Sequence, residues 1–257
     1  MTETNAPTLS SATIGSWAAL GNMSRALDTM NAAIHAEEGA PRMAVYFGRS
    51  GVGKTVGAAY VTARTGAAYV LARSVWTQRA FLEATAREVG LVSLERTATR
   101  LMDQIIEQLQ VQPRPLLIDE MDHLARKNVT EVIRDIYDAT DIPVMMIGEE
   151  KLPAKLKEWD RFDNRLIAIN QAMPATIEDG RMLRDCYCKR VSVADDLVDY
   201  FTHRCQGITR RIIVNLQRAN TAAIDELGVT TIDKKAWGNR TVMTGDLPTI
   251  HHHPKSH

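Results

Sequence analysis

The strongest chemical signal in the sequence is a glycine-rich segment, residues 48–55, which fits the pattern G-x-x-x-x-G-K-[ST]. It directly follows an apolar run at 43–47 and precedes a helical pattern, which is the context that a phosphate-binding loop requires. The backbone N–H groups of such a loop surround nucleotide phosphates, its lysine adds positive charge, and its last hydroxyl can hold Mg2+. A plain glycine-rich turn is the alternative. The predicted ATP-binding residues are Gly48, Arg49, Ser50, Gly51, Val52, Gly53, Lys54 and Thr55.

Two adjacent acids, Asp119 and Glu120, follow a second apolar run at 115–118. A phosphate-binding loop needs an acid at the end of a neighbouring strand, and Asp119 is predicted to hold Mg2+ together with Thr55. Glu120 can polarise the attacking water as a general base, while Lys54 stabilises the phosphate charge. The pair therefore predicts Mg2+-dependent hydrolysis of ATP, unless both acids only cap the following helix.

The elements that must position these groups alternate between apolar runs and helical patterns. Strands are predicted at 43–47, 68–72, 116–118, 144–147 and 167–169. Helices are predicted from about 23 to 34, from 53, across 74–111 and over 130–139. Strands separated by helices indicate a parallel sheet with both faces covered, so the predicted fold class is α/β, the parallel sheet of a P-loop NTPase flanked by helices.

Beyond residue 169 the strand signals fade. Thr176 and Asp179 form the pattern of a capping box, and helical periodicity continues over 194–201 and 209–227, which predicts a small helical lid. The predicted organisation is a flexible N-terminal tail (1–21), a nucleotide-binding α/β domain (22–172), the helical lid (173–243) and a flexible C-terminal tail (244–257). The histidines at 251–253 are interpreted as part of that solvated tail because nothing nearby completes a metal site.

The composition narrows the class of protein further. The 257 residues are 45% hydrophobic, as in an ordinary globular protein, and 31 basic residues balance 31 acidic ones. DNA binding would therefore depend on local patches, since there is no net positive field. The three cysteines lack the spacing of a zinc site, which fits a reducing cytoplasm, and no apolar run is long enough to cross a membrane.

With these motifs in view, residues 22–233 resemble the AAA+ ATPases and, within them, the DNA-transposition group that includes the Mu phage B protein, TniB and TnsC. The narrower likeness depends on the segments 119–124 and 147–152. Residues 119–123 also fit a helicase D-E-x-D/H box, but a two-motor helicase needs two such sheets and the chain has one P-loop. The resemblance implies ATP, Mg2+, duplex DNA, a transposase and further copies of the chain as partners.

The resemblance also implies a polar sensor 1 residue at the end of the fourth strand, and Glu149 occupies that position. Related proteins usually have Asn, Thr or Gln there. An acid would repel the phosphate unless it binds metal or turns away. A surface acid at the start of the next helix is the alternative to a catalytic Glu149.

Members of this family place an arginine finger after that strand, where it reaches the nucleotide of the adjoining subunit. The segment 159–165 looks similar, and either Arg161 or Arg165 could be the finger. A local salt bridge with Asp160 or Asp163 is the alternative for each.

A sensor 2 arginine, which contacts the γ-phosphate from the lid, is implied near residue 207. Arg210 and Arg211 are the candidates, because basic residues in the first turn of a helix oppose the helix dipole and so favour a functional reason. The alternative is a charged helix start capped by Thr209.

The family's axis-facing loops track the DNA backbone, and two basic segments lie at the corresponding positions. The predicted DNA-binding residues are Arg73, Arg79, Arg126 and Lys127. Trp76, between the first two, is predicted to be a core residue more readily than a base-stacking platform.

The sequence thus predicts an ATPase that oligomerises on duplex DNA without strong sequence preference and delivers it to a transposase. We expect it in the cytoplasm of a bacterium, or of the host if it is encoded by a phage. Two alternatives stay open: a helper or loader ATPase for replication or secretion, and a nucleotide-gated signalling or scaffold switch that does not bind DNA.

Overall fold

A computed structural model of the chain describes residues 20–125, 129–157 and 164–245. Its first compact unit, Met1–Met173, contains a five-stranded parallel sheet with the strand order β2-β3-β4-β1-β5. The strands are β1 (Met43–Phe47), β2 (Ala68–Leu71), β3 (Leu116–Asp119), β4 (Val144–Gly148) and β5 (Leu166–Gln171). The helices are α1 (Gly21–Ile34), α2 (Lys54–Thr65), α3 (Gln78–Glu88), α4 (Ala98–Val111), α5 (Val129–Thr140) and α6 (Leu152–Lys157). The predicted α/β class is confirmed.

The central strands are apolar because helices cover both faces of the sheet. All residues of β3 and β4, and four of the five in β1, are buried. Leu101, Ile105 and Leu109 recur every four residues along α4 and are fully buried in the main core. Burial of each such leucine or isoleucine stabilises the fold by about 1.5–3 kcal/mol.

The parallel arrangement places the carboxyl ends of β1, β3 and β4 at one edge of the sheet. β4 lies between the other two and pairs with both. The segments that follow these three strands carry the predicted P-loop, the acid pair and Glu149. The fold therefore gathers at this edge three predicted site segments that are far apart in sequence.

The second unit, Pro174–His257, contains helices α7 (Ile177–Tyr187), α8 (Asp195–Arg204), α9 (Thr209–Thr221) and α10 (Lys234–Trp237). The predicted capping box is present: the Asp179 N–H donates to Thr176 Oγ1 and the Thr176 N–H donates to Asp179 Oδ2. The buried Trp237 meets the Phe201 ring edge-on, with 5.1 Å between ring centroids.

The structure adds three details to the prediction. The stretch 74–111 forms two helices with a loop between them. The second unit is not purely helical, because β6 (Ser192–Val193) and β7 (Thr231–Ile232) pair in parallel. The helix predicted over 209–227 continues from Thr221 as a π-helical turn, Ala222–Glu226.

Candidate nucleotide-binding site

The P-loop has the backbone geometry of a phosphate-binding loop. Gly48 directly follows β1 and lies against Ala172. A Cβ atom at Gly48 would lie 2.9 Å from the Ala172 carbonyl oxygen. Gly53, immediately before α2, has φ +97°, a conformation that side chains with a Cβ rarely adopt. The helix start therefore opens toward the loop with N–H groups that can receive an anion.

Lys54 lies in the interior of this loop and is 9% exposed. Its ammonium group donates to the Gly48 carbonyl at 2.7 Å and to the Arg49 carbonyl at 2.9 Å. These bonds account for two of its three N–H donors, so one is left for a phosphate oxygen. The loop thus holds the ammonium group at the position where phosphate charge would have to be neutralised.

Asn22 is a second anchor of the P-loop, and no sequence motif pointed to this role. Its amide nitrogen donates to the Val52 carbonyl at 2.9 Å and to the Met173 carbonyl at 2.7 Å. Its amide oxygen accepts from the Met173 N–H at 2.9 Å. Tyr46, in β1, donates to the Asn22 carbonyl at 3.0 Å. One residue at the start of α1 therefore fixes the P-loop against the segment that follows β5.

Asp119 ends β3 with a buried carboxylate that is hydrogen-bonded from several elements. Oδ1 accepts the Glu120 N–H at 2.9 Å and Oδ2 accepts the Tyr69 hydroxyl at 3.0 Å. The Thr55 side chain of the P-loop lies near this carboxylate and acts to lower its pKa. Burial raises the pKa of Asp119, although these hydrogen bonds and the charge of Lys54 act in the opposite direction. The two predicted magnesium-binding residues, Thr55 and Asp119, thus lie near each other.

Glu120 is half-buried next to Asp119 and has φ 56°, a strained conformation for a residue with a side chain. Burial raises its pKa, the negative charges of Asp119 and Glu149 add to this rise, and His123 and Lys54 oppose it. Its side chain does not cap the turn Met121–His123, so the capping alternative is wrong for this residue.

Glu149 is exposed, and its position is controlled by Asp122. The Glu149 N–H donates to Asp122 Oδ2 at 2.5 Å, and Lys155 donates to Asp122 Oδ1 at 2.7 Å. A Cβ atom at Gly148 would overlap the Asp122 carboxylate, so a larger residue there would displace Asp122. The sequence singled out Glu149 but assigned no role to Asp122.

Of the two predicted arginine fingers, Arg161 lies outside the described residues, as do the suggested partners Asp160 and Asp163. Arg165 precedes β5 and forms a bidentate ion pair with Asp138, with both N–O distances 2.7 Å. The hydrogen bond to Asp138 raises the pKa of Arg165. The ion-pair alternative therefore applies to Arg165, with a different partner from those expected.

The predicted sensor 2 arginines differ in their surroundings within the second unit. Arg210 is exposed, whereas Arg211 is half-buried and its guanidinium group lies directly against Gly245. The residue before α9 is Ile208, and it makes no side-chain cap, so the suggestion that Thr209 caps this helix was wrong.

The predicted DNA-binding residues also differ in exposure and in their partners. Arg73 is exposed, while Arg79 pairs with Glu83 at 2.8 Å and donates to the Glu95 carbonyl at 3.2 Å. Trp76 is half-buried against the hydrophobic core, as predicted. Arg126 and Lys127 lie outside the described residues.

The residues at the carboxyl edge of the sheet fit a magnesium–nucleotide complex. Mg2+ prefers hard oxygen ligands and binds through one or two protein groups, with phosphates and water completing its shell. The Thr55 hydroxyl and the Asp119 carboxylate are such a set, next to the amide-rich P-loop. In the described ranges no group of three or more His, Cys, Asp or Glu side chains could hold a metal by itself.

Comparison with known proteins supports this description. Residues 37–156 match the family model described as an AAA domain. Cdc6p from Pyrobaculum aerophilum is similar in structure, with TM-score 0.60, 18% identity and coverage of 82% of this chain and 62% of that one.

Two Aeropyrum pernix proteins are also similar. The Orc1 protein in complex with DNA gives TM-score 0.59, 17% identity and coverage of 82% and 62%, respectively. The Orc2 protein in ADPNP–ADP complexes gives TM-score 0.64, 14% identity and coverage of 84% and 64%. The chain thus spans 62–64% of the length of these proteins. No curated protein sequence matches it significantly.

The sheet order and the P-loop define a P-loop NTPase of the AAA+ fold, as predicted. More particularly, residues 37–156 are similar to the AAA domain family, whose model they match. Among the helices of the three described ranges, none is long and apolar enough to cross a membrane.

Proposed function

We propose that this protein is an ATPase that binds ATP and Mg2+ between the P-loop and the acid pair, and hydrolyses the γ-phosphate bond. The observation that carries the proposal is that the P-loop and the acid pair meet at the carboxyl edge of the sheet, where Thr55 and Lys54 both act to lower the pKa of the buried Asp119 carboxylate. The AAA domain match over 37–156 supports the same activity.

The chain's residues divide the chemistry among them. Lys54 and the N–H groups at the start of α2 bind the phosphates and stabilise negative charge on the transferred group. Bound Mg2+ would neutralise charge on the phosphate oxygens. Glu120 accepts a proton from the attacking water at its carboxylate, and its raised pKa brings it nearer to the operating pH, which favours a general base.

The structure changes which arginines we favour for the remaining roles. Arg165 is held by Asp138, so Arg161 is the better candidate for an arginine finger that acts on a second copy of the chain. Arg210 is exposed while Arg211 packs against Gly245, so Arg210 is the better candidate for sensor 2.

We further propose that ATP drives assembly on duplex DNA, which the assembly delivers to a transposase. A chain without net charge gains little from a few phosphate contacts, but many copies on one duplex add their contacts together. The exposed Arg73 is a candidate contact, as are Arg126 and Lys127. The segments 119–124 and 147–152 carry the likeness to transposition ATPases.

A DNA-dependent loader in replication is the second candidate. It is supported by the structural similarity to the Aeropyrum pernix Orc1 protein in complex with DNA. Both candidates require ATP-dependent retention of duplex DNA, and they differ in the protein that is recruited afterwards.

A gel-shift experiment with random-sequence duplex tests the part that both share. Wild-type protein should retain DNA with ATP and release it without ATP, Lys54→Ala should not retain it, and Glu120→Gln should form long-lived complexes. DNA retention that is unaffected by ATP or by Lys54→Ala would contradict the coupling. Pull-down with a transposase and with a replicative helicase then separates the two candidates.

A further inference from the structure

Tyr69 contacts the acid pair from the neighbouring strand. β2 and β3 pair in register, with Tyr69 opposite Leu117 and Leu71 opposite Asp119. Alternate residues of a strand share a face, so Tyr69 and Asp119 lie on the same face one diagonal step apart. An aromatic side chain spans such a step, and the Tyr69 hydroxyl donates to Asp119 Oδ2 at 3.0 Å.

The Tyr69 hydroxyl and the Glu120 N–H together hold the Asp119 carboxylate in one orientation. The Glu120 N–H holds Oδ1 and Tyr69 holds Oδ2, so rotation of the group would break both bonds. Glu120 belongs to a turn and Thr55 to the P-loop, both of which are expected to contact substrate. Tyr69 instead lies in β2, where strand pairing with β3 holds its backbone.

We propose that Tyr69 is a positioning residue for the magnesium site: its hydroxyl fixes the orientation in which Asp119 faces the metal shell. This rests on the proposed ATPase function and adds a residue that the P-loop and acid-pair motifs do not contain. Tyr69 does not touch the nucleotide in this role and acts only through Asp119.

Tyr69→Phe tests this role because it removes one hydroxyl and keeps the ring. Binding of a fluorescent ADP analogue is measured while Mg2+ is varied, and again in EDTA. We expect the Mg2+ concentration at half-saturation to rise about tenfold, which corresponds to about 1.4 kcal/mol at 25 °C, and the affinity in EDTA to stay within about twofold.

Tyr137→Phe is the matched control. The Tyr137 hydroxyl accepts the Arg42 N–H at 3.2 Å beside the amino end of β1, away from the P-loop. This variant should leave both binding curves unchanged. In a double-mutant cycle, Tyr69→Phe should have no further effect on the Mg2+ dependence once Asp119→Asn is present.

An unchanged Mg2+ dependence in Tyr69→Phe would overturn the role of Tyr69. So would an equal loss of affinity with and without Mg2+, which indicates a general loosening of the sheet. A full Tyr69→Phe effect in the Asp119→Asn background would also overturn it. If the wild-type protein binds nucleotide without any response to Mg2+, the proposed function itself fails, and the role of Tyr69 fails with it.

Discussion

Lys155 donates a hydrogen bond of 2.7 Å to the Asp122 carboxylate, and this ion pair connects α6 with the turn that follows β3. The same carboxylate accepts the Glu149 N–H, so Asp122 ties the segment after β4 to the segment that carries Glu120. The relative position of Glu149 and Glu120 therefore depends on a pair of residues outside both motifs.

Replacement of Lys155 by methionine should slow ATP hydrolysis about three- to tenfold with little change in KM. The substitution leaves the P-loop intact but removes one of the groups that hold Asp122, and small displacements near reacting groups lower the rate. Steady-state kinetics measures both constants. Lys157→Met, on the exposed face of the same helix, is the control. A rise in KM at constant kcat would contradict this interpretation.

Replacement of Asn22 by alanine should weaken nucleotide binding about tenfold. The side-chain amide holds the Val52 carbonyl and both backbone groups of Met173, and a net loss of about 1.4 kcal/mol corresponds to that factor. Calorimetric titration with ADP measures the affinity. Asn31→Ala, in the same helix, should bind normally, and equal binding by both variants would argue against a role for Asn22 in positioning the P-loop.

Asp119→Asn should stabilise the nucleotide-free and Mg2+-free protein at neutral pH. Because burial raises the pKa of Asp119, the folded state binds its proton more tightly than the unfolded chain does. That stabilising contribution is complete below the ordinary carboxyl pKa and is lost as the pH rises through the raised pKa.

Asparagine has no such titration, and its amide can still accept from Glu120 and donate to the Tyr69 oxygen. We expect its melting temperature to exceed that of the wild type by about 2–4 °C at pH 8, and the difference to shrink toward acid pH. Thermal unfolding between pH 5 and pH 8 measures it. A difference that grows toward acid pH would have the wrong sign.

Arg161 and Arg165 should behave differently in mixtures of subunits. Arg161→Ala and Lys54→Ala should each be inactive alone, and their mixture should regain part of the ATPase activity, because each supplies what the other lacks. Arg165→Ala and Asp138→Asn should each lower stability by about 0.5–1 kcal/mol, as expected for loss of a partly exposed ion pair. If Arg165→Ala is instead inactive alone and regains activity in a mixture with Lys54→Ala, the finger is assigned to Arg165.

The sequence predicted the parts of the fold that have local signals. The five strands of the sheet and the P-loop between β1 and α2 follow from apolar runs, helical periodicity and a short motif. The proximity of Thr55 to Asp119 could be expected because parallel strands end at one edge of the sheet. Strands of two residues, such as β6 and β7, are too short to show any periodicity.

The contacts that position the site could not be predicted in this way. Asn22 and Met173 are 151 positions apart, and Tyr69 and Asp119 are 50 apart. Their residue types are common in soluble proteins, and their roles arise only when the fold brings them together. Arg165 shows the same limit, since its partner Asp138 lies 27 positions earlier in the sequence.

The central claim is that residues 48–55 and Asp119 form one site for a nucleotide and Mg2+. Equilibrium binding of a fluorescent ATP analogue in the presence of Mg2+ tests it most directly. Wild-type protein and Glu120→Gln should bind with similar affinity, whereas Lys54→Ala and Asp119→Asn should bind about 10- to 100-fold more weakly. Equal affinity in all four proteins would contradict the claim.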